Sequence, residues 1–260
     1  MKYILLFSTA LMLLTACGED KPEETVEELT AKLDQQLKQI TAPAQEMPAE
    51  TTPPSLSEKG LQTGPNPHAE LSAEQHIAVA YQHAENGRME QALDILARAI
   101  IANPNDASFL AALGGLLLGQ DRAAEALEYL EAAVSLAPDS ALLLVNRSQA
   151  YRKLNRSQEA MVDLDKAVAL NPRLVPARFN RGVLLYDEAR YKEALADFDV
   201  CIQAAPETAG PYFNRAVTHD ALGDQAEAVS DMNKFLELSD NPEWNKVAQD
   251  TIATWEKNSN

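Results

Sequence analysis

A fixed interval of 34 residues recurs along most of this chain and constrains its fold more than any other feature. Prolines keep the interval at positions 104, 138, 172 and 206, and alanines keep it at 92, 126, 160, 194 and 228. Proline ends a helix, because its nitrogen cannot donate a hydrogen bond and because it disfavours helical geometry in the residue before it. Only 6% of the residues are aromatic, which favours packed helices over a β-sandwich. The spacing therefore predicts a repeated helical unit that ends before each proline.

Five such units fit between residues 73 and 240. They span residues 73–106, 107–140, 141–174, 175–208 and 209–240. In each unit, a first helix is predicted to turn into a second helix at Gly87, Asp121, Asn155, Ala189 or Gly223. Gly114 and Gly182 of the first helices are small enough to allow close contact with large residues of the second helices. These large residues are Leu96, Leu130, Leu164, Phe198 and Met232.

The 34-residue period, the small residues within it and the closing prolines resemble those of the tetratricopeptide repeat, a helix-turn-helix unit. The resemblance covers residues 73–240 and implies an all-α fold, a right-handed superhelical solenoid of five helix-turn-helix repeats. After the fifth unit, Asn241 is suited to cap a helix and Pro242 to occupy its first turn. Residues 241–257 carry one apolar face that includes Trp244 and Trp255, and we interpret them as a capping helix. A partner or cofactor contact is the alternative role for the two tryptophans.

Residues 1–16 have the pattern of a cleaved signal peptide, since a lysine precedes an apolar run that is short for a membrane span. The run ends in Leu14-Thr15-Ala16-Cys17, which resembles the lipobox of bacterial lipoproteins. The resemblance implies a lipoprotein whose Cys17 sulfur carries a diacylglycerol with acyl chains such as palmitate. Because Gly18 rather than aspartate follows, it also implies the periplasmic face of the outer membrane in preference to the inner membrane. The alternative is an ordinary signal peptide with a chance thiol at Cys17.

Residues 17–72 follow the predicted cleavage site and read as an acidic, proline-rich tether. Such a composition buries too little apolar surface to offset its ordering entropy. Within the tether, residues 22–40 place apolar side chains on one helical face, which predicts a short amphipathic helix. Whether that helix lies on lipid, pairs with another chain or stays solvated is open, although its acidic polar face disfavours an anionic membrane.

The charge balance and the histidines exclude several classes of function. A formal net charge of -17, without a basic stripe, argues against nucleic-acid binding. His76 and His83 lie seven residues apart, which is not the spacing of a helical metal pair. Cys201 takes a slot that holds alanine in other units, so a buried and inert thiol is expected. The sequence therefore predicts no metal site, no cofactor and no enzymatic activity.

An Asn-Arg pair recurs at the same interval in the last three units. Sixteen residues after each arginine stands an aspartate, whereas the first two units have apolar residues in both slots. A guanidinium fork binds a carboxylate in bidentate fashion, so we predict one structural ion pair within each of the three helical hairpins. The predicted pairs are Arg147 with Asp163, Arg181 with Asp197, and Arg215 with Asp231.

The asparagine precedes the arginine and points about 100° away from it around the helix. By resemblance to tetratricopeptide proteins, Asn146, Asn180 and Asn214 form a ladder in the concave groove that holds the backbone of an extended peptide. An amide offers both a donor and an acceptor for this task. Further predicted groove residues are Phe179, Phe213, Gln149, Arg152 and Tyr186. The alternative, that the asparagines only bond neighbouring helices, stays open.

Together these features predict a membrane-anchored periplasmic scaffold that binds extended segments of protein partners, in cell-envelope or pilus assembly, without catalysis of its own. The competing hypothesis is a self-associating structural lipoprotein. Its oligomerisation would use the helix at residues 22–40 or the ends of the solenoid.

Overall fold

The computed structural model describes residues 71–258, and these are helical apart from short connections. The eleven helices of this part of the chain are α1 (Ala73–Glu85), α2 (Met89–Ala102), α3 (Ala107–Gly119), α4 (Ala123–Leu136), α5 (Ala141–Lys153), α6 (Ser157–Leu170), α7 (Val175–Asp187), α8 (Tyr191–Ala204), α9 (Ala209–Leu222), α10 (Gln225–Leu238) and α11 (Pro242–Asn258). The predicted signal peptide, the lipidation site Cys17, the tether as far as residue 70 and the helix at residues 22–40 lie outside the described residues. The chain divides between Ala137 and Pro138 into two compact units.

The first unit contains two helical hairpins, α1 with α2 and α3 with α4. Its first helix begins with a capping box, in which Ser72 Oγ accepts from the Gln75 backbone and the Gln75 side chain accepts from the Ser72 backbone. This exchange satisfies two of the amide groups that a helix start leaves without partners. Large apolar side chains, among them Leu96 and Leu130, are fully buried between the helices.

The second unit contains three hairpins, α5 with α6, α7 with α8 and α9 with α10, followed by α11. First helices contact one another in sequence, α5 with α7 and α7 with α9. The second helices of the first four repeats end two residues before their closing prolines, at Ala102, Leu136, Leu170 and Ala204. The prediction that the prolines lie just beyond the second helices is therefore confirmed.

The turn within each hairpin uses a left-handed residue at the position that the repeat predicts. The backbone φ is +73° at Gly87, +62° at Asp121, +60° at Asn155, +58° at Ala189 and +86° at Gly223. Glycine adopts this conformation at little cost, and aspartate and asparagine tolerate it, but alanine is disfavoured there. The fourth repeat thus accepts local strain at Ala189.

Small residues let the helices of a hairpin approach closely, as the sequence predicts. A Cβ atom built on Gly114 would lie 2.7 Å from Leu130 Cγ, and one on Gly182 would lie 2.8 Å from Phe198 Cε1. Both distances are shorter than a carbon-carbon contact allows. The large side chain of the second helix therefore fills the space that the glycine leaves open.

The last helix, α11, covers the apolar side of the fifth repeat. Asn241 Oδ1 accepts from the backbone amides of Glu243 and Trp244, which is an N-cap. The Trp244 ring lies 5.5 Å from the Phe213 ring in an edge contact, and Trp255 is buried in the same core cluster. These contacts confirm the capping prediction.

Candidate functional site

In the second unit, each of the three predicted arginine-aspartate pairs forms within its own hairpin, and all three have the same geometry. In each pair, arginine Nε donates to aspartate Oδ2 and Nη2 donates to Oδ1. The pairs are Arg147 with Asp163, Arg181 with Asp197, and Arg215 with Asp231, at nitrogen-oxygen distances of 2.7 to 2.9 Å. All three carboxylates are buried. A bidentate fork satisfies them, which is what makes their burial tolerable.

Asp197 has a second arginine that the sequence analysis missed. Arg178 Nη1 donates to Asp197 Oδ1 at 2.6 Å, and Arg178 Nε donates to the Pro172 carbonyl at 2.9 Å. Arg178 occupies a slot in which the other repeats carry apolar or aromatic residues, so internal comparison gave no sign of a charge partner. The carboxylate side chain of Asp197, only 1% exposed, thus receives bonds from two guanidinium groups.

The arginines also join neighbouring repeats. Arg181 Nη1 donates to Asp165 Oδ1 at 2.9 Å, and Arg215 Nη1 donates to Asp199 Oδ1 at 2.6 Å. Each of these aspartates belongs to the preceding repeat and precedes its arginine by 16 residues. The same interval that revealed the pairs within hairpins would have revealed this second set. The hydrogen bond to Asp197 is the main cause that raises the pKa of Arg181, so the guanidinium stays charged.

Two of the three asparagines that are predicted to line the groove are largely buried. Asn180 and Asn214 are 6% and 7% exposed. Asn180 Nδ2 donates to the Pro176 carbonyl at 2.9 Å, and Asn214 Nδ2 donates to the Gly210 carbonyl at 3.0 Å. These are bonds to the preceding turn of the same helix, so part of each amide serves local structure. Asn146 is half-buried.

Two predicted groove aromatics differ in their surroundings. Phe213 is buried, and its ring lies 5.2 Å from the Phe235 ring within the core of the fifth repeat. Its assignment to an open groove face is therefore corrected, because core packing occupies the ring. Phe179 is half-buried and meets Phe198 edge-on at 6.1 Å.

The remaining predicted groove residues lie near the C-terminal ends of first helices. Gln149 and Arg152 on α5 and Tyr186 on α7 are half-buried. The Tyr186 ring lies 5.4 Å from the Tyr191 ring. Burial is the main cause that raises the pKa of Tyr186, and the charge of Asp220 adds to it. Aromatic surface, an amide and a guanidinium are thus available on this part of the first helices.

A reactive thiol and a metal site are two other chemistries that the residue types of this chain bring into question. Cys201 is fully buried, and burial raises its thiol pKa to about 12, which agrees with the expected inert thiol. Within residues 71–258, no group of three or more potential metal ligands comes together. Over the same range, no helix has the length and apolar character needed to cross a membrane.

Models of the tetratricopeptide repeat match residues 80–141, 141–174 and 209–242. TTC0263, a tetratricopeptide protein of Thermus thermophilus, superposes with a TM-score of 0.59 at 23% identity, over 70% of this chain and 100% of its own. MamA gives 0.53 at 22% identity, over 64% of this chain and 90% of its own. YrrB, a tetratricopeptide protein with an unusual peptide-binding site, gives 0.52 at 22% identity, over 69% and 92% respectively. No curated protein matches the sequence. The predicted all-α fold class is confirmed.

Proposed function

We propose, on the premise that the described chain is an array of tetratricopeptide repeats, that this protein is a lipid-anchored periplasmic adaptor. Proteins built from these repeats are protein-interaction scaffolds, and one structural neighbour is a peptide-binding member. In our proposal, the first helices of the second unit hold an extended segment of a partner protein. The chain has no catalytic role and works in assembly within the cell envelope.

This proposal rests on the different hydrogen-bonding roles of the neighbouring arginine and asparagine residues on the first helices. The arginines are fully engaged with aspartates, and they hold the hairpins together. Asn180 and Asn214 each use one amide hydrogen on their own helix. Among the described residues, each amide keeps its Oδ1 and its second hydrogen for another partner. A peptide unit needs one acceptor and one donor, and this remaining pair supplies both.

Site-specific photocrosslinking in living cells tests the proposal. A photoreactive residue in place of Gln149 on α5 is expected to capture a partner protein, because Gln149 is one of the predicted groove residues on the first helices. The same residue at Gln158, which is exposed on α6, serves as the matched control. Equal capture at both positions would place the partner elsewhere and would contradict the proposal.

Alanine substitution gives a second test. Changing Asn146, Asn180 and Asn214 together is expected to lose the captured partner while helical content is retained. The control changes three exposed polar residues of second helices, Gln158, Lys192 and Gln203. Identical partner lists for both triple variants would overturn the role of the asparagines.

The proposed anchor is tested separately at Cys17. The unaltered chain is expected in the outer-membrane fraction, with processing that is sensitive to globomycin, an inhibitor of lipoprotein signal peptidase. Cys17→Ala is expected to lose acylation and outer-membrane association. Recovery of the unaltered chain as a soluble periplasmic protein would refute the anchor but would leave the binding proposal intact. Light scattering of the purified chain distinguishes partner binding from the competing self-association.

A further inference from the structure

In two places of the second unit, the fourth residue of a repeat reaches back to the proline that closes the preceding repeat. Arg178 Nε donates to the Pro172 carbonyl at 2.9 Å, and Tyr212 Oη donates to the Pro206 carbonyl at 3.1 Å. Each donor follows its proline by six residues. A guanidinium and a phenol, two side chains of unlike chemistry, therefore make the same contact at equivalent positions.

The third repeat binds the proline carbonyl before it from a different position. Its own fourth residue is Leu144, whose side chain has no hydrogen-bond donor. Lys166 of α6 supplies the donor instead, and its Nζ lies 2.7 Å from the Pro138 carbonyl oxygen. All three repeats of the second unit thus share the acceptor although the donors differ. This convergence indicates that the proline carbonyl is the group that has to be held.

These carbonyls belong to the short turns that connect consecutive repeats. We call residues 171–174 and 205–208 the junction turns, and they connect α6 to α7 and α8 to α9. Within each junction turn, the last backbone amide donates to the first carbonyl at 3.1 Å. That single bond closes the turn but leaves the proline carbonyl outside both helices. The side-chain donor gives each junction turn a second bond, and this bond connects the turn to the helix that follows.

Both donors are fixed at a second point of the following repeat. Arg178 Nη1 donates to Asp197 on α8 at 2.6 Å, and the Arg178 side chain is 18% exposed. Arg215 Cζ lies 5.8 Å from the centre of the Tyr212 ring, and Tyr212 is 8% exposed. Water therefore competes little for the bonds to the proline carbonyls, and each donor belongs to a side chain that is already held in place.

We propose that Arg178 and Tyr212 are latches on the two junction turns. Each latch holds its junction turn against the first helix of the next repeat, so that α7 and α9 begin in a fixed direction. In a solenoid, the rotation between neighbouring repeats determines how the repeats stack, so a latched junction stiffens the stack. The second unit is thus a stiff array, and neither latch depends on a bound partner.

Native-state hydrogen exchange of the full chain, resolved to single backbone amides by NMR spectroscopy, tests the latch at Tyr212. Tyr212→Phe removes the hydroxyl and keeps the ring. The Thr208 amide, which closes the junction turn at residues 205–208, is expected to exchange about fivefold faster in this variant, because one hydrogen bond no longer opposes local opening. The Leu174 amide, in the junction turn that Arg178 holds, is expected to keep its rate.

Two further variants separate the latch from a general loss of stability. Tyr191→Phe removes the hydroxyl of a half-buried tyrosine on α8, and it is expected to leave the exchange rate of the Thr208 amide unchanged. Tyr212→Arg places the donor of the fourth repeat in the fifth repeat, where Asp231 stands in the position of Asp197. This variant is expected to return the exchange rate of Thr208 to within about twofold of that in the unaltered chain.

The latch is wrong if Tyr212→Phe leaves the Thr208 amide at its original exchange rate. It is also wrong if the Thr208 and Leu174 amides accelerate equally, because the hydroxyl would then support the whole fold rather than one junction. Equal acceleration by Tyr191→Phe, or no recovery in Tyr212→Arg, would likewise show that a donor to the proline carbonyl is not what holds the turn.

Discussion

The buried carboxylate of Asp197 provides a quantitative test of how the second unit is held together. It accepts three hydrogen bonds, one from Arg178 and two from Arg181, at 2.6 to 2.9 Å. The two arginine side chains are 18% and 19% exposed. They have other acceptors, the Pro172 carbonyl for Arg178 and Asp165 for Arg181. The network is therefore asymmetric, and its members should differ in what their removal costs.

Asp197→Leu leaves two largely buried guanidinium groups without their shared carboxylate. Removing one partner of a buried ion pair costs about 3 to 5 kcal/mol of unfolding free energy, and we expect a loss in that range. Arg181→Leu should cost less, about 1 to 3 kcal/mol, because Arg178 still donates to the carboxylate. The third repeat supplies a matched comparison. Within the described residues Asp163 has a single arginine partner, Arg147, so Arg147→Leu should cost more than Arg181→Leu.

Urea denaturation followed by circular dichroism measures these free energies. The double variant Arg181→Leu with Asp197→Leu should lose less unfolding free energy than the sum of the losses in the two single variants. We expect a difference of about 1 to 3 kcal/mol, because residues in one network are coupled. Adding Arg178→Leu removes the last stranded charge and should recover part of the stability, since apolar replacement of a whole buried ionic group is often neutral. Strictly additive losses, or equal costs for Asp197→Leu and Arg181→Leu, would refute this account of the network.

Three further predictions concern packing, thiol ionisation and backbone strain. Gly182→Ala should destabilise the fold by about 1 to 3 kcal/mol, because its Cβ would lie 2.8 Å from the Phe198 ring. The control Gly119→Ala should not destabilise the fold, because its Cβ would have no atom within 4 Å. Equal urea midpoints for the two variants would contradict this prediction. Burial raises the thiol pKa of Cys201 to about 12 from an ordinary 9.0, so the unfolded chain ionises first. The stability of the unaltered chain relative to Cys201→Ala should therefore be constant below pH 9 and fall as pH rises above it, by up to about 1.4 kcal/mol per unit. A flat difference between the two stabilities up to pH 11 would argue against a buried thiol. Ala189→Gly should raise the thermal unfolding midpoint, because it relieves a left-handed alanine at φ +58°, and a lowered midpoint would show that the turn is not strained.

The repeat unit could be predicted from the sequence because its pattern of residues recurs several times in one chain. The 34-residue interval indicated the helical hairpins. The residue types at Asn155 and Gly223 indicated turns, and both residues have a positive backbone φ in the structure. Comparing slots across repeats also singled out the arginines and aspartates that form bidentate pairs. In these cases a local steric or electrostatic reason acts in the same way in every copy.

Features that depend on one repeat, or on depth below the surface, could not be predicted in this way. Arg178 has no counterpart in other repeats, so its bond to Asp197 had no pattern to reveal it. The burial of Asn180 and Phe213 depends on packing in three dimensions, which helical angle alone does not specify. The hydrogen bond that the Asn180 side-chain amide donates to the Pro176 carbonyl lies within one helix, and sequence spacing does not reveal it.

Through the second set of arginine bonds, the fourth repeat carries both sides of the connection between neighbouring repeats, since Arg181 donates to Asp165 and Asp199 accepts from Arg215. Arg181 reaches back to Asp165 and forward to Asp197, and Arg215 reaches back to Asp199 and forward to Asp231, always across 16 residues. A duplicated copy of residues 175–208, inserted after residue 208, would therefore find a carboxylate on each side of its arginine and would leave one for Arg215. Such a longer array could be built without designing any new junction, because each copy carries both halves of the connector.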